Sequence, residues 1–211
     1  MQNITAIEFR RMIVNDSPII VECGANTGET TLEFLEIFPQ ALVHCFEPDP
    51  RCVKVFKKNC GVDSRCVLYE AAISDIDGET TLYLSTCNKP NTTTPHISAS
   101  TIKGTKRNME FHSWIRFDKN IIVPTIRLDT WLETVQTQYI DFLWADVEGA
   151  EENLILGGMN TLKRTKYFYT EYSNREVYDG EITLDQIVKM LPDFELIKTY
   201  EYDALFRNLK L

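Results

Sequence analysis

Seven residues in the second half of the chain, Ala145-Asp146-Val147-Glu148-Gly149-Ala150-Glu151, concentrate groups that can move a proton. The apolar run Asp141-Phe142-Leu143-Trp144 leads into them and reads as a buried strand, so Asp146 falls at its carboxyl end. In extended backbone, residues two apart share a face, which would aim Asp146 and Glu148 at one site. Gly149 then lets the chain turn. Glu151 falls in the first turn of the next helix, where the helix dipole favours an acid in any protein. A carboxylate pair suits general-base removal of a proton from a weakly acidic hydroxyl, an effect typically worth ~10² to 10⁴-fold in rate. It could also ligate Mg²⁺, which the spacing leaves open without favouring.

A second stretch, Val21-Glu22-Cys23-Gly24-Ala25-Asn26-Thr27-Gly28, has the composition of a ligand-binding turn. A triphosphate loop needs Lys after its last glycine, and none follows Gly28. A dinucleotide fingerprint needs glycine where Asn26 stands. The remaining reading is acid-x-Gly-x-x-x-Gly, the turn that holds S-adenosylmethionine, whose sulfonium and ammonium make a nearby acid useful. Glu22, Gly24, Ala25, Asn26 and Gly28 would then surround that cofactor. Glu47 ends the next apolar run, precedes Pro48, and is placed to accept hydrogen bonds from both ribose hydroxyls. Asp49 is the better cap for the helix that follows. Backbone around Ala72 would meet the adenine edge. Asp75 either contacts the base or starts the turn Asp75-Ile76-Asp77-Gly78.

These groups need a scaffold that brings strand ends together. Apolar runs predict strands near 19–23, 42–46, 66–70, 140–145 and 167–172, and amphipathic stretches predict helices near 28–38, 50–60, 151–163 and 183–191. This alternation indicates an α/β fold with a mostly parallel sheet and helices on both faces. Residues 194–200 and 203–209 read as an antiparallel pair closing one edge. Residues 79–84 read as an extra strand, and 85–117 as a long polar segment that covers the acceptor. The expectation is one domain over 1–211.

Composition narrows the partners. A net charge of −9 disfavours nucleic acid, and the run Lys103-Gly104-Thr105-Lys106-Arg107 reads as a solvated loop. No apolar run reaches the ~20 residues of a bilayer span, and no signal peptide is legible at the N-terminus. Six cysteines without a C-x2-C pair read as reduced and structural, in a cytoplasmic setting. Of the three histidines, His44 lies in an apolar strand and reads as packed. His96 and His112 fall in the polar segment, where either could reach over an acceptor or be a plain loop residue.

"VECGANTGETT", "HCFEPDP", "AAISDIDGETTLYL", "TIRLDTWL", "IDFLWADVEGAEENLILGG" and "YEYDALFRN" occur in this order. Together they resemble the FkbM family of S-adenosylmethionine-dependent methyltransferases over residues 18 to 209. The resemblance implies a class I methyltransferase (Rossmann-like) fold with a seven-stranded sheet. It also implies methylation of a hydroxyl oxygen on a carbohydrate or small natural product. Asp146 and Glu148 are then the catalytic candidates, and His112, Glu171 and Trp114 the candidates for holding the acceptor. The family's first motif most often has Asp where Glu22 stands. Residues 85–117 have little counterpart in it, so acceptor choice falls there. Two other readings stay open: a methyltransferase of this fold acting on nitrogen or a macromolecule, and a non-catalytic nucleoside-binding module. Oligomeric state is not legible.

Overall fold

A computed structural model describes residues 4–87, 97–105 and 114–211. Thr5 caps helix α1 (Ala6–Met12) by accepting from the Glu8 N–H. Strand β1 (Ile19–Cys23), helix α2 (Glu29–Ile37), strand β2 (Leu42–Phe46), helix α3 (Pro50–Asn59) and strand β3 (Cys66–Tyr69) follow. Asp49 caps α3 and Pro50 opens it, as its sequence predicts. Next come β4 (Ala72–Ile73), β5 (Gly78–Cys87) and β6 (Ile115–Ile126), then helix α4 (Leu128–Thr134) and strand β7 (Ile140–Ala145). Helices α5 (Glu151–Gly157) and α6 (Met159–Lys163), strand β8 (Thr165–Glu171), helix α7 (Leu184–Met190) and strands β9 (Phe194–Thr199) and β10 (Asp203–Asn208) complete the chain.

The main sheet has seven strands in the order β3-β2-β1-β7-β8-β10-β9. β10 runs antiparallel to both of its neighbours, so the expected C-terminal pair does close one edge. β1 lies between β2 and β7, parallel to both. The chain reverses its direction of strand addition there, which opens a crevice at the carboxyl ends of β1 and β7. Both faces of the sheet are covered, which is why these strands read as continuous apolar runs. In β7, Ile140, Leu143 and Ala145 face one core with Trp131 and Phe168. Phe142 and Trp144 face the other, among Phe9, Phe34 and Tyr169.

Three expectations change. The segment 85–117 is not uniformly loop: β5 extends to Cys87 and β6 begins at Ile115, pairing antiparallel in a small second sheet with the order β4-β6-β5. Polar, β-branched strands of an outlying sheet carry little apolar periodicity, so they read as loop. The helix expected over 151–163 is two helices, hinged at Gly158. A Cβ on Gly157 would stand 2.0 Å from the Ser74 carbonyl oxygen, so the glycine pair permits a close contact at the cost of helix continuity. Asp129 on α4 then caps the second helix by accepting from the Asn160 and Thr161 N–H groups. The third change concerns Glu148 and belongs to the site.

Candidate active site

The turn after β1 is folded against β2. The Gly24 and Ala25 N–H groups donate to the Phe46 carbonyl at 3.0 and 2.9 Å. Gly24, Asn26 and Gly28 all hold positive φ, at 87°, 48° and 86°. At Gly24 no other residue fits, because a Cβ would stand 1.8 Å from the Asp146 carbonyl oxygen. The glycine therefore lets the first turn touch the acidic stretch after β7.

Glu47 ties this turn to the next. One carboxylate oxygen accepts from the Asn26 N–H at 2.8 Å and the other from the Asp49 N–H at 2.7 Å. Burial pushes its pKa up to about 7, against the pull of those two donors. A cavity opens beside it, with about 580 Å³ of empty volume counted to its open mouth. Gly24, Asn26, Glu47, Pro48, Ala72, Asp146 and Glu148 all line it. Phe46, Ile73, Leu82, Ile97 and Ile102 make the wall around Ala72 apolar. Residues 97–102 cross this cavity as a strap. The Ser100 hydroxyl donates to Asp49 at 2.8 Å, and Arg51 bonds both Ser100 and the Ser85 carbonyl. Thr101 bridges to Tyr83 of β5.

Across the cavity, acids crowd together. The Asp146 N–H donates to the Cys23 carbonyl, fixing this residue at the end of β7. Burial pushes the Asp146 carboxyl up to about 6, and nearby Asp203 adds to the rise. Asp146 shares a hydrogen bond with Glu171, whose own carboxyl is raised far above the usual range, by burial first and then by Asp146. Both carboxyls are raised, Glu171 the further of the two. Glu148 does not continue the extended backbone. It holds φ 52° and Gly149 φ 90°, so strand alternation is not what brings Glu148 beside Asp146. A left-handed turn does so, at a cost of order 1–3 kcal/mol for a non-glycine residue. Burial, with the Asp146 charge second, pushes Glu148 up to about 8.

The FkbM methyltransferase domain model matches residues 22–204. The chain belongs to the FkbM methyltransferase family. It is 37% identical to the 2-O-methyltransferase NoeI of Sinorhizobium fredii strain NGR234, across 98% of this chain and 88% of that protein. Among solved structures, a candidate O-methyltransferase from Klebsiella pneumoniae superposes with a TM-score of 0.54 at 12% identity, covering 96% of this chain and 77% of that one. The fibrillarin pre-rRNA processing protein of Methanococcus jannaschii superposes with a TM-score of 0.50 at 12% identity, covering 93% and 67%. These two likenesses concern the fold, which is the α/β class I methyltransferase fold expected.

Not every candidate reaches the cavity of this FkbM methyltransferase. Glu22 is 1% exposed and turns inward: the Thr31 hydroxyl donates to it, and the Cys45 thiol lies 3.7 Å away. Ala25 and Gly28 shape the turn from behind, and Gly28 caps α2. Asp75 accepts from the Asn153 amide at 2.7 Å, an anchor between the β4 turn and α5, and does not line the cavity. Trp114 is 40% exposed just before β6, and neither it nor Glu171, which reaches Asp146, lines the cavity. His112 and His96 lie outside the described residues, as do Lys106 and Arg107 of the basic run. His44 is packed as expected, stacked on Tyr69 and lowered by burial to about 4. Cys23, Cys45, Cys52, Cys60 and Cys66 are free thiols. No helix among the described residues is long and apolar enough to cross a membrane. Within the described residues, no three or more His, Cys, Asp or Glu side chains are arranged to hold a metal ion. Sequence reasoning missed Ser100, Thr101 and Tyr178, which come from segments with no motif of their own, and gave no role to Asp203 within "YEYDALFRN".

Proposed function

We propose that this enzyme methylates a hydroxyl oxygen of a carbohydrate or related small molecule, with S-adenosylmethionine as donor and Asp146 as proton acceptor. The observation that carries the reading is one cavity with the Glu47 carboxylate on one wall and the Asp146–Glu148 pair on another. The lining suits the donor. Glu47 offers two acceptor oxygens for a ribose diol, the apolar wall around Ala72 suits adenine, and the acids opposite suit a sulfonium. When bound, S-adenosylmethionine supplies a methyl carbon made electrophilic by its positive sulfur.

The chain's own residues do the rest. Asp146, less raised than Glu171, is the one left to ionise and take the acceptor's proton. Glu148, pushed up to about 8, stays protonated and can donate to the acceptor. Two acids driven apart by their surroundings in this way hold different forms at one pH: Asp146 takes the acceptor's proton, while Glu148 orients the acceptor through a hydrogen bond and gives up no proton, since the departing thioether is neutral. Residues 97–102 line the same cavity and would narrow the access of water to these charges, which strengthens their interactions. The 37% identity to a protein named as a 2-O-methyltransferase supports a hydroxyl oxygen as the acceptor.

The test is release of S-adenosylhomocysteine from S-adenosylmethionine with a panel of mono- and oligosaccharides. Asp146→Asn should lower turnover ~10² to 10⁴-fold while S-adenosylhomocysteine affinity, measured by calorimetry, stays within a few-fold of the parent. Equal loss of both would make Asp146 a pocket residue and sink the base assignment. Added EDTA should leave the rate unchanged; a collapse restored by Mg²⁺ would route the chemistry through a metal instead.

A further inference from the structure

Glu148 is held from two directions by residues that no motif points to. The Tyr178 hydroxyl donates to Glu148 Oε2 at 2.7 Å. The Thr101 hydroxyl, on the strap, donates to the Glu148 backbone carbonyl at 2.6 Å. Tyr178 lies on the segment between β8 and α7, is 5% exposed, and packs on Gly149: a Cβ there would stand 2.7 Å from the Tyr178 Cβ. The phenol is thus wedged against the same turn that its hydroxyl restrains.

We propose that Tyr178 is a positioning residue for methyl transfer, fixing which Glu148 oxygen faces the acceptor and which form of Glu148 meets it. The proposal rests on the reading of this cavity as an O-methylation site. Buried beside Glu148, Tyr178 has its own ionisation pushed far above the usual range, so its hydroxyl donates at every working pH. Oε2 is therefore kept as an acceptor, and Oε1 is the oxygen left to carry the proton. The groups around Glu148 are otherwise acidic. Asp146 follows β7, Glu151 is on α5, Glu171 is on β8, and Glu181 shares the Tyr178 segment. Lys103, the residue after the strap, faces Glu181 but bonds the Asn153 amide oxygen at 3.1 Å. Among these groups, Tyr178 is the one that donates to the Glu148 carboxylate and favours its charged form.

Tyr178→Phe keeps the ring and its packing on Gly149 and removes the hydroxyl alone. Carbon-13 titration of glutamate carboxyls, with Glu148 assigned by its disappearance in Glu148→Gln, reads the effect without any acceptor. Its midpoint should rise by about one pH unit in Tyr178→Phe, as loss of a donor to the charged form requires. S-adenosylhomocysteine affinity should stay within about twofold. With a sugar that supports turnover, the alkaline limb of the rate profile should move up by the same amount and the acid limb should stay. An unmoved midpoint, or an equal loss of S-adenosylhomocysteine affinity, would overturn the assignment. If no sugar is turned over, the O-methylation reading fails, while the titration still decides Tyr178.

Discussion

Glu22→Gln asks what the acid of the first turn does. The residue is 1% exposed and its carboxyl accepts from Thr31. Burial pushes its pKa from the ordinary 4.5 up to about 8, so the folded protein holds a proton that the unfolded chain has released. A raised acid contributes stability that is fully present below 4.5 and is lost as pH climbs towards 8. The slope inside that window is about 1.4 kcal/mol per pH unit for one proton. Between about pH 5.5 and 7.5, Glu22 should therefore remove about 3 kcal/mol from the parent. Gln keeps a carbonyl oxygen for Thr31 and cannot titrate. Other raised acids, such as Glu151, act in both proteins and cancel in the difference. Urea unfolding of parent and variant at the two pH values measures this. The parent should lose about 3 kcal/mol relative to Glu22→Gln. A difference that does not change with pH would mean that Glu22 is ionised when folded, and the burial argument would fail.

Glu47→Gln should weaken S-adenosylhomocysteine binding roughly 10 to 100-fold by calorimetry, the worth of one or two charge-assisted bonds; unchanged affinity would remove Glu47 from the ribose. Gly24→Ala should fail to fold stably, since its Cβ would stand 1.8 Å from a backbone oxygen and φ is 87°. A parent-like melting temperature would show that the two turns can separate. Turnover should rise through about pH 6 as Asp146 ionises and fall through about pH 8 as Glu148 does. Loss of the limb near 6 in Asp146→Asn would tie it to that residue, and its persistence would assign it elsewhere.

Much of the scaffold was legible because its signals are local. The runs at 19–23, 42–46 and 140–145 are each apolar but for one residue, Glu22, His44 and Asp141, close to what strands buried on both faces show. Asp49-Pro50 announces a helix start by side-chain chemistry that needs no distant partner. Glu47 and Asp146 were legible because each ends such a strand, and strand ends in this topology border the cavity. Of the small second sheet, 79–84 was legible as the middle of β5; β4 is two residues long and β6 is largely exposed and polar, so neither was.

What the sequence by itself determined is therefore which residues sit at strand ends and that an acid follows β7. Tertiary structure decided where each acid points. Glu22, one residue inside the end of β1, turns in to Thr31, while Glu47, one residue past the end of β2, meets the backbone of the first turn and the cavity. Glu148 joins Asp146 through a left-handed turn wedged by Tyr178, thirty residues along the chain, and not through strand alternation. Asp129 caps a helix that begins thirty residues later. Local periodicity sets burial and element type. The direction of a buried polar side chain is set by the partner that satisfies it, and that partner arrives only when the chain folds.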